Sequence, residues 1–253
     1  MSQERNGKIQ SVERAVAILK CFQQEPQLGI TEIGKMVNLP KSTVFGIVNT
    51  LLACEMLDQD KSTGKYRLGM ECYHLGQHTN LDYRTAALPF LRNLVTEFGE
   101  TANMVSHDGT HIIYIEKLES PNSMMRVCTT IGQRLPFYCS GVGRSILAFL
   151  SEWEIEKALA SYDYAPYTDH TPRDAETVRR QLVQIRAQGY CVDREEFEND
   201  IICVGTPVFS PKHIPVAGIS VSGPKFRMSE SYQKQIAAVL MDYAGQISKR
   251  IFG

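Results

Sequence analysis

Lys41, Ser42, Thr43, Phe45, Gly46 and Asn49 bring a cation, two hydroxyls, an aromatic ring and an amide into one short stretch. Hydroxyls and a helix N-terminus bond phosphate oxygens, an Asn amide pairs with adenine N6/N7, and apolar groups touch the thymine methyl. The set therefore fits the face of a DNA duplex better than it fits a reaction. Shortly downstream, Lys61, Lys65 and Arg67 supply cations of the kind that hold phosphates.

These residues need a helix and a hairpin to present them. Ile33, Met36 and Val37 stand at i, i+3, i+4 in a helix opened by Thr31 and Glu32 and ended by Asn38-Leu39-Pro40. Pro40 disfavours an α conformation at Leu39, and Ser42 or Thr43 is placed to cap a second helix whose buried stripe is Val44, Ile47, Val48 and Leu51. The polar residues lie on its other face. The stretch Asp58 to Gly64, flanked by Met56-Leu57 and Tyr66-Arg67-Leu68, reads as a hairpin. A helix over 11–24, capped by Ser11 and packed through Val12, Val16, Leu19 and Phe22, precedes both. Three helices and a hairpin in this order make a winged helix-turn-helix, whose second helix enters a major groove.

Beyond the hairpin, Met70 to Asn80 and Leu81 to Phe98 read as helices, the second broken near Pro89. From Thr101 the period changes to two, with alternating runs about Asp108-Gly109, and a third strand is expected over Met125–Thr130. Residues 140–150 read as a Gly-rich turn into a short helix. Helices near 152–161 and 174–188 follow, then strands near 190–194, 201–209 and 215–222, and a last helix over about 229–251. The fold class is α+β, with one antiparallel sheet between helices. The expected domains are a DNA-binding domain over 1–69, a helical linker and start of the effector domain over 70–98, and an effector-binding domain over 99–253.

A chain of 253 residues with 43% hydrophobic content can build two cores. Its net charge of −1 is unevenly spread: residues 1–70 hold nine Lys/Arg against seven Asp/Glu, and the remainder 18 against 21. That asymmetry supports DNA binding only mildly. Seven cysteines, odd in number and without a CxxC pair, fit a reducing cytosol. The polar start MSQERNGKIQ and the lack of a bilayer-length apolar run point to a soluble cytoplasmic protein without a membrane partner.

The phrases SVERAVAILKCF, LPKSTV, GKYRLG, RLPFYCSGVGRSILA, GYCVDREEFENDIICVGTPVF and AGISVSGP, in this order, resemble the IclR family of bacterial transcriptional regulators over about residues 9–250. The resemblance implies an N-terminal winged helix-turn-helix and a C-terminal GAF-like effector-binding domain. It also implies a dimer or dimer of dimers on a palindromic operator, acting as repressor or activator in response to a small metabolite such as an organic acid, and no cofactor. Carried over by motif, the effector pocket takes Gly141 and Val142 from the Gly-rich loop, Asp193 and Cys203, and Ser220 and Ser222. Met124, Leu135 and Ile201 are its apolar walls. Asp193 beside a carboxylate ligand would repel it unless it bonds a hydroxyl or turns away. The chain departs from the family where Phe45 replaces a frequent His, Gly46 a larger basic residue, and Arg144 a Lys. A helical Gly46 costs up to about 1 kcal/mol relative to Ala.

Other readings compete at single residues. His74 and His78 stand four apart, a metal-ligand spacing, but no HExxH glutamate or third ligand accompanies them. His107 and His111 are expected to be exposed about the hairpin turn. Cys203 with His213 as base is the enzyme alternative for the C-terminal domain, weakened by apolar neighbours that keep a thiol neutral. Arg126 and Arg134 fit either a ligand contact or a solvent-facing position.

Overall fold

The computed structural model describes residues 9–77, 82–120 and 127–253. Two compact units divide the chain, Met1–Asn80 and Leu81–Gly253.

In the first unit α1 (Gln10–Cys21), α2 (Ile30–Met36) and α3 (Lys41–Ala53) precede a hairpin of β1 (Leu57–Gln59) and β2 (Tyr66–Leu68), and α4 (Met70–Gln77) follows. Ile18, Ile33, Val44, Val48, Leu57 and Tyr66 form its core. Helix α1 begins at Gln10 with Ile9 before it and no side-chain cap, so Ser11 lies inside the helix. Of the expected stripe Phe22 is buried and Leu19 packs against the core, whereas Val12 and Val16 are exposed and Ile18 and Cys21 are buried instead. At the start of α2, the Gly29 N–H donates to the Glu32 carboxylate at 2.6 Å. Pro40 occupies the position before α3, so Ser42 and Thr43 fall in the first turn and cap nothing.

The second unit opens with α5 (Asp82–Phe98), which runs unbroken through Pro89. Pro89 lies on the exposed side of the helix, where water can take the carbonyl that its missing N–H leaves free. There follow β3 (Thr101–His107), β4 (His111–Leu118), β5 (Arg134–Pro136), α6 (Gly141–Leu147), α7 (Glu152–Ala160), α8 (Ala175–Gln188), β6 (Cys191–Arg194), β7 (Ile201–Phe209), β8 (Pro215–Pro224) and α9 (Glu230–Phe252). Six strands form one antiparallel sheet in the order β5-β4-β3-β8-β7-β6. Helices α5 and α9 cover one face around Leu91, Ile219 and Leu240, and α6, α7 and α8 cover the other around Val142, Ile146 and Leu182. The Asp108-Gly109 turn is as expected: Gly109 takes φ +90°, and Asp108 accepts from the Thr110 and His111 N–H groups at 3.0 and 2.9 Å.

No strand covers 127–130; the third strand lies further on, at Arg134–Pro136, paired with His111–Ile113. The segment 127–130 is held instead by side chains. Lys117 donates from Nζ to the Val127 and Thr129 carbonyls, both at 2.8 Å, and Glu198 accepts the Cys128 N–H at 3.0 Å.

Candidate functional site

On α3, the alternation of buried Val44, Val48 and Leu51 turns Lys41, Ser42, Phe45, Gly46 and Asn49 outward, with Thr43 half-buried between. Phe45 is 52% exposed, which leaves its ring free to meet a partner. A Cβ at Gly46 would meet nothing within 4 Å, so no packing inside the protein calls for glycine there. In the wing, Arg67 forks onto the Asp58 carboxylate from Nε and Nη2 at 2.9 and 2.6 Å. Lys65 faces Glu32 at 3.5 Å, tying the wing to α2. Both cations are exposed, and such pairs are weak enough for a phosphate to exchange with the carboxylate.

In the C-terminal unit, strand register brings Asp193, Cys203 and Ser222 into one row across β6, β7 and β8, and Thr101 of β3 continues it. Side chains directly opposite in a sheet share a face. Ser220 stands two residues from Ser222, paired with Asn103, and therefore on the same face. A cavity of about 20 Å³ lies against this row, lined by Asp193, Ile201, Cys203 and Ser222 together with Tyr114, Val127, Thr129, Ser140, Phe197 and Glu198. Gly141 closes onto it from α6: a Cβ there would stand 3.0 Å from the Asp193 Cβ and 3.2 Å from the Cys203 carbonyl. Ser140 caps α6 by accepting the Gly143 N–H at 3.1 Å.

Burial, and then the neighbouring Glu196, push the Asp193 carboxyl well above the usual carboxylate range. Its Oδ1 accepts the Glu196 N–H at 2.8 Å. A shift in that direction favours the protonated form, which donates a hydrogen bond, and so weakens the repulsion expected toward a carboxylate ligand. Burial, and next Asp193, push the Cys203 thiol up to about 12, which leaves it neutral and unreactive as a nucleophile. Three buried polar atoms around the row have no hydrogen-bond partner: Asn103 Oδ1, Thr129 Oγ1 and Ser220 Oγ. Orphans of this kind are uncommon and cost about 1–3 kcal/mol each.

The structure brings together Asp193, Ile201, Cys203 and Ser222, with Gly141 and Ser220 beside them. Val142 and Leu135 are core residues that do not line the cavity, Val142 being packed on Gly205 and Gly218. Met124 lies outside the described residues, as do Arg126 and His78. Arg134 is bound to Asp108 at the far hairpin and takes no part in the cavity. His107 and His111 are half-buried: His107 Nε2 lies 3.0 Å from the Pro215 carbonyl, and His111 meets the Tyr162 ring edge-on. His213 stacks on Phe209, away from Cys203. No group of three His, Cys, Asp or Glu side chains fit to hold a metal occurs among the described residues.

Sequence reasoning missed Tyr114, Thr129, Phe197 and Glu198 as lining residues, and also the role of Arg144. That guanidinium is 1% exposed and ion-paired with Glu196, and Nη1 donates to the Tyr138 carbonyl at 3.3 Å. Glu196, three residues past Asp193 in the GYCVDREE phrase, was the available signal.

Residues 11–61 match the IclR helix-turn-helix domain, and residues 76–249 match the bacterial transcriptional regulator IclR C-terminal domain. The HTH-type transcriptional regulator XynR of Escherichia coli is 35% identical over 226 residues, covering 88% of this chain and 89% of its own. A crystal structure of an IclR transcriptional regulator from Alicyclobacillus acidocaldarius superposes with TM-score 0.84 at 26% identity, covering 96% of this chain and 99% of that one. An IclR homologue from Microbacterium hydrocarbonoxydans, solved with 4-hydroxybenzoate, shares the fold at TM-score 0.84 and 22% identity, over 95% and 98%.

Proposed function

The chain belongs to the IclR family of bacterial transcriptional regulators, and from that premise we propose that residues 1–69 grip half of a pseudo-palindromic operator while residues 99–253 bind a small organic acid. The stretch 70–98 is the covalent route between them. The protein is a regulator and not an enzyme. One winged helix covers a half-site, so a symmetric dimer or dimer of dimers in the cytoplasm is the working form. No helix among the described residues is long and apolar enough to cross a membrane.

The observation that carries the effector reading is the buried row Asp193, Cys203, Ser222 with its orphaned neighbours. Unpaired donors and acceptors beside an acid whose protonated form is favoured by burial suit a ligand with a carboxylate and a hydroxyl, and the bound 4-hydroxybenzoate of the Microbacterium homologue is of that class. A cavity of about 20 Å³ admits roughly one water. A ligand of several heavy atoms enters only by moving the walls, so occupancy favours a different arrangement of the domain, and a coupling to operator binding of about 1–3 kcal/mol follows the usual range.

Two expected results test the reading. In mobility shifts, Thr43→Ala and Asn49→Ala lower the preference for operator over random DNA, Asn49→Ala by about 1–3 kcal/mol if it holds an adenine. Lys65→Ala and Arg67→Ala weaken both DNAs alike and lower the salt slope by about one per lost contact. Equal effects of all four on both DNAs would overturn the division between helix and wing. In the effector domain, Ser220→Ala with Ser222→Ala abolishes the response to effector and leaves ligand-free operator binding near wild type. A double variant that still responds normally would place the pocket elsewhere.

A further inference from the structure

A second cavity, of about 370 Å³, opens at the free edge of the sheet between β6, α8 and α9. It shares no lining residue with the cavity at Asp193. Its size lies in the range of small-molecule sites, and its walls are polar. Two of the side chains that line it carry a buried polar atom without a partner: Arg144, through Nε, and Gln181, through Oε1. One is a donor and the other an acceptor. A carboxylate satisfies only the first and an ammonium only the second, whereas a hydroxyl both accepts and donates.

The charges select further. Arg144 is neutralised by Glu196. Arg194 and Lys234, both exposed, line the same cavity and have no ion-pair partner among the described residues; Arg194 only donates to Gln233 Oε1, at 2.8 Å. Against these two cations stands one exposed acid, Glu230. The unpaired charge of the lining is therefore positive, and a cation or a neutral apolar molecule is disfavoured.

We infer that the cavity between β6, α8 and α9 is a second ligand site that takes a small hydroxylated anion, its acidic group on Arg194 and Lys234 and a hydroxyl against Gln181 and Arg144. The inference concerns binding to the C-terminal unit and does not depend on operator recognition or on the first pocket.

The test is calorimetric titration of the whole chain with D-glycerate and D-gluconate as probes, beside acetate, which lacks the hydroxyls, and glucitol, which lacks the charge. Hydrogen-exchange protection locates the bound probe. At least one hydroxy acid is expected to bind at millimolar concentration or better, with acetate and glucitol each weaker by about tenfold or more, the usual loss when a charged hydrogen bond is removed. Protection should fall on residues 181–194 and 230–234. Lys234→Gln, alone and with Arg194→Gln, should weaken the hydroxy acid by a similar factor while the thermal melt shows a folded chain. Lys234→Gln alone serves if loss of the Arg194–Gln233 bond disturbs the fold. The inference is overturned if neither hydroxy acid binds, if protection appears at 197–203 and 220–222 instead, or if folded Lys234→Gln and double variants bind like wild type.

Discussion

Replacing Arg144 with methionine should lower the stability of the C-terminal unit by about 3–5 kcal/mol, the usual loss when one partner of a buried ion pair is removed. Arg144 is the cation paired with Glu196, whose side chain is itself only 11% exposed, and the acid at Asp193 is bonded to the Glu196 backbone. Methionine preserves much of the volume and leaves the Glu196 carboxylate buried without a counter-charge. Glu196→Gln should restore much of the loss when combined with Arg144→Met, because a neutral amide in place of the anion removes the uncompensated charge. Circular dichroism in denaturant titrations reads the loss. A loss below about 1 kcal/mol would mean that the pair behaves as a solvated surface bridge, contrary to its burial.

The same pair explains why Arg144 is more than a charge retained from the lysine usual in the family. A planar guanidinium can hold Glu196 and the Tyr138 carbonyl together, which an ammonium does with less directional fit. Arg144 thus sets the position of the Glu196 backbone N–H, and that N–H fixes the Asp193 carboxyl at the first pocket. A sequence reading that notes Arg144 only as a replacement for the family's Lys sees the charge but not the partner, which lies 52 residues away.

Local signals and distant contacts were unequally legible in the sequence. The winged helix could be read because its parts are local: Val44, Val48 and Leu51 repeat at helical spacing, and the hairpin is bounded by its own turn residues. The Asp108-Gly109 hairpin was legible for the same reason. The exposure of Val12 and Val16 on α1 was not, because they satisfy the period of Leu19 and Phe22 as well as buried residues would, and only tertiary packing puts Ile18 and Cys21 in the core in their place. Pro89 was misread as a break because sequence does not tell which side of α5 faces solvent. The expected strand over 125–130 failed where side-chain bonds from Lys117 and Glu198 replace a ladder at 127–130. The candidate pocket residues come from the family resemblance, not from period or spacing, and of them the strand register makes Asp193, Cys203 and Ser222 cross-strand neighbours.

Gly205→Ala should destabilise the C-terminal unit by about 1–3 kcal/mol through overpacking and, unlike a change at the pocket surface, should abolish the effector response as well. A Cβ at Gly205 would lie 2.6 Å from the Val142 Cα and 2.7 Å from its N, so the obstruction is the backbone of α6 itself. At Gly218 the nearest atom is instead the Val142 side chain, Cγ2 at 2.7 Å. The two glycines therefore predict different responses to Val142→Ala. That change removes Cγ2 and should relieve much of the strain of Gly218→Ala, but it leaves the α6 backbone in place and cannot rescue Gly205→Ala. Both comparisons are read from circular dichroism in denaturant, with each variant measured in wild-type and Val142→Ala backgrounds. The functional part follows from Gly141, the residue before Val142, which stands within van der Waals reach of Asp193 and Cys203. Pushing α6 off β7 widens that contact and displaces Gly141 from the row of Asp193 and Cys203 proposed to meet the ligand. A Gly205→Ala protein as stable as wild type and still responsive would show that α6 can shift freely over the sheet, and the seating of the first pocket on β7 would have to be abandoned.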